Sequence, residues 1–115
     1  MEKLYSGGLP LLKTTKLGPR WWRLEEDFQT PWQTVPKWFE FDGASVPRAL
    51  WSFLAPAGEA MEAACVHDYF YITTLKTKEF ADDVFYKMLL RYGVDPDKAY
   101  LAYRAVRRFG KGNYN

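Results

Sequence analysis

The eight residues Phe41-Asp42-Gly43-Ala44-Ser45-Val46-Pro47-Arg48 mark the change from a strand-rich to a helical part of the sequence. Gly43 allows a backbone path that other residues resist, and Ser45 is a residue type that caps helix N-termini. Proline is tolerated in the first helical turn, where its missing N–H is not needed. We therefore predict a first helix from Ser45 to about Phe53, ending near Pro56-Ala57-Gly58.

The part before this junction alternates strand formers with turn residues. In order, these are Leu9 to Leu12, Gly18-Pro19, Trp21 to Phe28, Thr30-Pro31 and Trp38 to Phe41. In the last run, Lys37, Phe39 and Phe41 fall on one side of an extended strand and Trp38 and Glu40 on the other. This pattern predicts a small, mostly antiparallel sheet.

Three further helices are predicted after the junction. Residues from Glu59 to about Tyr71 are almost all apolar, which predicts a central buried helix. A third helix runs from Lys78 to Tyr92, after Thr77 and before Gly93, and a fourth has Asp95 as N-cap, Pro96 at its start and Gly110 as its stop. Strands followed by helices in blocks predict an α+β fold, in which the N-terminal sheet packs against about four C-terminal helices.

Size and composition favour a single soluble domain over residues 1–115, strand-rich over 1–41 and helical over 45–110, with a frayed tail at 111–115. The 115 residues carry a net charge of +2, too balanced for a strong whole-molecule field. Cys65 is the single cysteine, so no internal disulfide can form. No signal peptide and no apolar run of about 20 residues is present. We expect a protein that is kept in a reducing cytoplasm or packaged into a particle, not secreted and without a membrane span.

Polar side chains in apolar surroundings are the strongest functional signal. His67 and Asp68 lie within the apolar second helix, where each needs a hydrogen-bonding, ionic or metal partner. On an ideal helix Asp82 falls at the border of the third helix's apolar stripe, whereas Asp83 points away from it. Asp42 lies at the strand-to-helix turn, where functional residues often occur. We predict that these groups lie together.

Three interpretations of this cluster remain open. In the first, Asp42, His67 and Asp82 bind a divalent metal (Mg, Mn, Fe or Zn), and Asp68 acts as a base or supports one of these ligands from behind. In the second, His67, Asp68 and Ser45 are catalytic, because a histidine oriented by a carboxylate can act as general base on water or activate the Ser45 hydroxyl. In the third, Asp42 and Ser45 cap a helix, and the other three side chains tie the helices to the sheet.

The last helix carries an outward basic stripe. It consists of Tyr100, Arg104, Arg107, Arg108 and Lys111. Such a stripe can bind phosphates, nucleic acid or an acidic protein surface. The helix dipole also favours basic residues in a last turn, and such a stripe is most often only a solvent-exposed helix face. Nucleic acid bound through Arg104, Arg107 and Arg108 is therefore a possible but not the favoured partner of this stripe.

The order and spacing of several motifs resemble one protein family. These are FDGASVPR at 41–48, HDY at 67–69, AD at 81–82 and AVRRFG at 105–110. They are similar to a phage and prophage family of unknown function, domain of unknown function 1353, over about residues 20 to 110. The positions that match its pattern are Asp42, Gly43, Ser45, Pro47, His67, Asp68 and Asp82. The resemblance implies a phage or prophage origin and brings no established activity. With that origin, we expect a phage or host protein as the partner and the host cytoplasm or the virion as the location.

Two functions follow from these observations. One is a small phage-encoded hydrolase, metal-assisted, acting during infection or lysis on cell-wall material or a phosphate ester. The other is a non-catalytic virion or tail component, or a protein that binds a host factor, with a structural Asp/His network.

Overall fold

The computed structural model describes residues 10–54, 60–111 and 114. Within these residues, five short strands come first: β1 Thr14–Gly18, β2 Trp21–Leu24, β3 Phe28–Gln29, β4 Thr34–Val35 and β5 Glu40–Phe41. Four helices follow: α1 Arg48–Leu54, α2 Ala60–Thr73, α3 Lys78–Arg91 and α4 Pro96–Phe109. This order confirms the predicted α+β fold.

The larger sheet has the strand order β1-β2-β5, and both of its pairings are antiparallel. The turn at Gly18-Pro19 joins β1 to β2, as the sequence predicts, while β3 and β4 form a separate antiparallel pair. Trp22 lies opposite Phe41, with the ring centroids 5.7 Å apart. Because β5 lies against both β2 and α2, the residues after Phe41 leave the sheet directly beside the central helix.

The strands are shorter than predicted. Residues 10–12 are not a strand, since β1 begins at Thr14, and Leu9 lies outside the described residues. The run from Trp21 to Phe28 is interrupted by a bend at Glu25-Glu26, which separates β2 from β3. Trp38 has a φ of 79°, which an extended strand does not allow, so the last run reduces to β5.

The helices follow their predicted limits closely, except for the first. Thr77 caps α3 by accepting the Phe80 N–H at 3.1 Å, and Asp95 caps α4, with Pro96 as its first residue. The start of α1 at Arg48, rather than Ser45, is a correction. Its reason is that the Ser45 hydroxyl and N–H face Asp68 on α2 instead of capping a first turn. The predicted stop at 56–58 lies outside the described residues.

Helix α2 forms the centre of the core. Ten of its fourteen residues are buried, and it packs extensively against α3. The predicted apolar stripe of α3 is buried throughout: Ala81, Val84, Phe85, Met88, Leu89 and Tyr92. Polar side chains that α2 directs toward α3 are therefore held away from water.

The chain after α4 is described only at residues 110, 111 and 114, so most of the tail expected to fray lies outside the described residues. The Tyr114 hydroxyl donates to the carbonyl oxygen of Lys76 at 2.6 Å, so this residue is packed against the domain. No helix in the described part of the chain is long and apolar enough to cross a bilayer.

Candidate functional site

The turn between β5 and α1 is fastened to α2 by Asp68. Its Oδ2 accepts the Gly43 N–H at 2.7 Å, and its Oδ1 accepts the Ser45 N–H at 3.2 Å and contacts the Ser45 Oγ. Gly43 has a φ of 74°, which a residue with a side chain rarely adopts. This backbone path is what turns both N–H groups toward the same carboxylate.

His67 continues the line of contacts on the other side of Ser45. Its Nδ1 lies 2.9 Å from the Ser45 Oγ, and its Nε2 lies 2.7 Å from Oδ1 of Asp82 on α3. The ring is 1% exposed and packs against Tyr71 and Phe85, with centroid distances of 4.2 and 4.7 Å. These contacts fix the imidazole between a hydroxyl and a carboxylate.

Asp82 is the end of this line and is fully buried. The Tyr71 hydroxyl donates to its Oδ1 at 2.5 Å, and Lys78 and Arg107 donate to its Oδ2 at 2.9 and 3.0 Å. The Lys78 ammonium also donates to the carbonyl oxygens of Val106 and Arg107, at 2.9 and 3.0 Å. One carboxylate therefore joins α2, α3 and α4. The seven side chains Ser45, His67, Asp68, Tyr71, Lys78, Asp82 and Arg107 are called the buried network below.

The environment gives the ionisable groups of the buried network different charges. Burial raises the pKa of Asp82, but hydrogen bonds from His67, Tyr71 and Lys78 outweigh it and bring that pKa to about 2. Burial lowers the pKa of His67, and it raises the pKa of Asp68 against its hydrogen bonds from Ser45 and Gly43. At neutral pH, Asp82 is thus ionised and the imidazole is neutral.

Counting hydrogens at Ser45 shows what the arrangement can do. Because Nε2 of His67 faces an ionised carboxylate, it carries the imidazole proton, and Nδ1 is left as an acceptor. The Ser45 hydroxyl has one hydrogen and two neighbours, Nδ1 of His67 and Oδ1 of Asp68. When Asp68 is ionised, its Oδ1 and Nδ1 of His67 compete for the hydroxyl hydrogen. A protonated Asp68 instead donates to the Ser45 oxygen, and the Ser45 hydrogen is then available to the imidazole.

The Ser45 end of the buried network faces a small cavity of about 110 Å³. It is lined by Asp42, Ala44, Ser45, Asp68, Tyr71 and Ile72. Asp42 also lines two wider clefts, of about 360 and 430 Å³. Ser45 and Asp68 are therefore near a place that water or a small group can occupy, while His67 and Asp82 lie behind them.

The structure brings together four of the five predicted site residues: Ser45, His67, Asp68 and Asp82. Asp42 does not join them, because it is exposed and its Oδ1 accepts the Ala44 N–H at 2.9 Å. Across the described ranges, no group of three or more His, Cys, Asp or Glu could hold a metal ion. Of the predicted metal set Asp42, His67 and Asp82, the structure brings His67 and Asp82 into contact at 2.7 Å and leaves Asp42 apart from them.

Three members of the buried network were not predicted as site residues. Tyr71 and Lys78 are each four residues from a predicted member, the spacing at which helical side chains meet, so this signal was present in the sequence. Arg107 was placed in the outward stripe, and its contact with Asp82 corrects that prediction for this residue. Its long side chain reaches the core from a half-buried position, which helical spacing alone does not reveal.

Comparison with known proteins gives a family without an assigned activity. Two proteins of Sinorhizobium fredii (strain NBRC 101917 / NGR234) are similar: "Uncharacterized protein y4jT", 35% identical over 66% of this chain, and "Uncharacterized protein y4iH", 36% identical over 69% of it. The matched segments make up 23% and 34% of these relatives, so the chain spans about a third or less of their length. No solved structure matches the chain. A family model described as "Protein of unknown function (DUF1353)" matches residues 22–106, and the chain belongs to that family.

Proposed function

We propose that this protein is a small hydrolase in which Ser45 is the nucleophile, His67 the general base and Asp82 the group that orients the base. The observation that carries the proposal is the continuous contact of Ser45 Oγ, His67 and Asp82 at 2.9 and 2.7 Å, which ends beside a cavity. A hydroxyl within reach of a base that is itself held by a third group is the arrangement that activates a serine.

Each residue has a defined role in this reaction. The Ser45 hydroxyl gives its proton to Nδ1 of His67 as its oxygen attacks the carbonyl carbon of an ester or amide. The bond from that carbon to the alcohol or amine then breaks, and the imidazolium returns the proton to this leaving group. Water, deprotonated by the same imidazole, hydrolyses the acyl-serine and restores the Ser45 hydroxyl. The imidazolium that forms is stabilised by Asp82, which stays ionised because Tyr71, Lys78 and Arg107 bond it. The N–H groups of Gly43 and Ser45 point together as a pair of oxyanion donors does. Asp68 holds them in the structure, so turnover requires this carboxylate to release them.

A fluorophosphonate reagent tests the proposal without knowledge of the substrate, because it modifies activated serines. We expect one label per folded chain, mapped to Ser45 by mass spectrometry, and no label in Ser45→Ala. His67→Ala should label far more slowly, since removal of a general base costs about 10²–10⁴ in rate. Urea-unfolded protein is the control for non-specific modification. A wild-type chain that takes up no label at any pH at which it stays folded refutes the nucleophile.

A second candidate function is a non-catalytic component of a virion or tail, or a binder of a host factor. The observation that favours it is the closed state of the buried network, in which His67, Asp68 and Asp82 bond protein groups on both sides. The match to minor parts of longer relatives is also consistent with a module. Mass spectrometry of purified particles and pull-down from infected cells test this function, and absence from both contradicts it.

Both candidate functions assume that the protein comes from a phage or prophage, as the family resemblance implies. On this proposal the protein acts in the host cytoplasm or within the virion, during infection or lysis. The hydrolase substrate would then be cell-wall material bearing ester or amide bonds. Expression timed to infection, measured by a tagged copy in its native genomic context, supports this source, and constant expression without any linked phage genes contradicts it.

A further inference from the structure

The outward face of α4 carries a cleft of about 540 Å³, and Arg107 is the one residue of its lining that also belongs to the buried network. Three aromatic rings and three arginines line it: Tyr100, Tyr103, Phe109, Arg104, Arg107 and Arg108. The helix is strongly amphipathic, with Ala99, Ala102 and Val106 buried on the opposite side. Apart from Arg107, the cleft is therefore built from side chains that the core does not use.

Two of the three guanidinium groups are available to a ligand. Arg107 is committed to Asp82, at 3.0 Å. Arg104 and Arg108 are exposed and form no ion pair with any residue that the structure describes. Their guanidinium carbons lie 5.9 and 5.5 Å from the ring centroids of Tyr100 and Phe109. Each free cation thus stands beside an aromatic ring.

The rings themselves are open to solvent. Tyr100 is 48% exposed and Phe109 is 66% exposed. Tyr100 is supported from α3 by Tyr86, at 6.2 Å between centroids, and Tyr86 in turn contacts Tyr103 at 5.2 Å. This support limits the movement of the ring, so it offers a firm flat surface for stacking.

We propose that this face of α4 binds single-stranded nucleic acid, with Arg104 and Arg108 on backbone phosphates and Tyr100 and Phe109 stacked on bases. Surfaces that bind single strands combine cations along the backbone with aromatic rings under the bases, and both are present here in alternation. The two arginines are one helical turn apart, about 6 Å along the axis, so they address neighbouring phosphates of one strand. An acidic peptide would satisfy the arginines but would leave the exposed rings without a partner.

Fluorescence anisotropy with a labelled oligothymidylate of about 15 nucleotides tests the proposal directly. Two phosphate contacts on a single strand predict a slope of about −1.4 in log affinity against log salt, so affinity falls about sevenfold between about 50 and 200 mM. Absence of binding at the lower salt concentration, or binding that salt does not weaken, overturns the proposal. The assay does not depend on Ser45, so its outcome is separate from that of the proposed reaction.

Matched variants locate the site. The double variant Arg104→Glu, Arg108→Glu should abolish oligothymidylate binding. The control double variant Lys16→Glu, Lys87→Glu makes the same change of net charge at exposed positions outside the cleft lining, and it should retain most of that binding. Equal losses in the two double variants overturn the proposal in favour of non-specific attraction. Circular dichroism melts establish that each variant is folded before it is compared.

The aromatic contribution needs its own comparison. Tyr100→Ala and Phe109→Ala should each weaken binding at least about fivefold, the effect of losing one stacked base. Leu101→Ala removes an apolar side chain that is 55% exposed on the same helix but does not line the cleft, and it should have no effect. Competition by a polyglutamate peptide of equal charge, as effective as unlabelled oligothymidylate, would reject nucleic acid and indicate an acidic protein surface instead.

Discussion

Asp82 is the residue whose replacement tests the buried network most directly, because four side chains from three helices bond its carboxylate. Asp82→Asn keeps the size of the side chain, removes the counter-charge of Lys78, and leaves Arg107 only the more distant carboxylate of Glu79, at 3.9 Å. Removing one partner of a buried ion pair costs about 3–5 kcal/mol. The side chains of the two cations are 22% and 33% exposed, and water compensates them in part. We therefore expect a loss of about 3 kcal/mol in the free energy of unfolding.

Thermal and urea unfolding, followed by tryptophan fluorescence, measure this loss. For 115 residues, an unfolding entropy of about 2.1 cal/mol/K per residue converts 3 kcal/mol into a fall in Tm of about 12 °C. Asp83→Asn is the matched control, since the next residue along α3 is exposed, and it should change stability by less than about 0.5 kcal/mol. If both variants are equally stable, the reasoning about the buried network is refuted.

The pH dependence of the same pair gives an independent result. The pKa of Asp82 is about 2 in the folded protein, below its ordinary value of 3.8. A carboxyl group with a lowered pKa in the folded protein stabilises the folded state at pH values above its ordinary pKa. This stabilisation is lost as the pH falls through the pKa that the group has in the folded protein. The shift corresponds to about 2 kcal/mol. The stability difference between wild type and Asp82→Asn should therefore narrow by that amount from about pH 4 to about pH 2, and a constant difference contradicts the assignment.

Three further substitutions or measurements follow from single contacts. Gly43→Ala should destabilise the protein by about 1–3 kcal/mol, because φ is 74° there and an added Cβ would overlap the Trp51 ring. Tyr71→Phe should cost about 1.5–3 kcal/mol, since it removes a hydrogen bond to the ionised Asp82. The Cys65 thiol should react with a disulfide reagent only after unfolding, because it is fully buried and burial raises its pKa.

Each of these has a control in the same molecule. A Cβ at Gly18 would lie 3.7 Å from the nearest atom, so Gly18→Ala should be close to neutral, and equal losses at the two glycines would exclude local strain. The Tyr69 hydroxyl makes no hydrogen bond within the described chain, so Tyr69→Phe should leave Tm unchanged. Rapid thiol labelling of the native protein would show that the core around α2 opens readily.

Local spacing determined much of what the sequence could predict. The choice of Asp82 over Asp83 required only the helical period, and the ends of α4 required only the preferences of Asp95, Pro96 and Gly110. The structure confirms both, because these features depend on residues within one helical turn. The same applies to the prediction that His67 needs partners, which follows from its apolar neighbours alone.

Features that depend on distant residues could not be predicted in this way. A serine before Val46-Pro47 suits a helix cap and also suits a buried hydrogen bond, and only the position of α2 decides that Ser45 faces Asp68. The positive φ of Trp38, which shortens the last strand, has no signature in a residue type that favours strands. Arg107 likewise lies at an outward spacing, and its inward contact follows from the way α4 packs against α3.

The one hydrogen of the Ser45 hydroxyl separates the two proposed functions. If Ser45 is purely structural, its hydroxyl donates to an ionised Asp68, and Nδ1 of the His67 imidazole then has no hydrogen-bond donor. As a nucleophile, it donates to the imidazole, which requires Asp68 to be protonated or withdrawn while His67 stays neutral. With Asp68 in place, this second state exists only at pH values between the two pKa values, and only if the carboxyl pKa lies above the imidazole pKa. Burial shifts both pKa values in this sense, because it raises the pKa of the Asp68 carboxyl and lowers the pKa of the His67 imidazole. A catalytic Ser45 with Asp68 still in contact therefore predicts activity confined to a bell-shaped pH window, whereas a withdrawn Asp68 predicts activity at every pH at which His67 is neutral and the protein is folded.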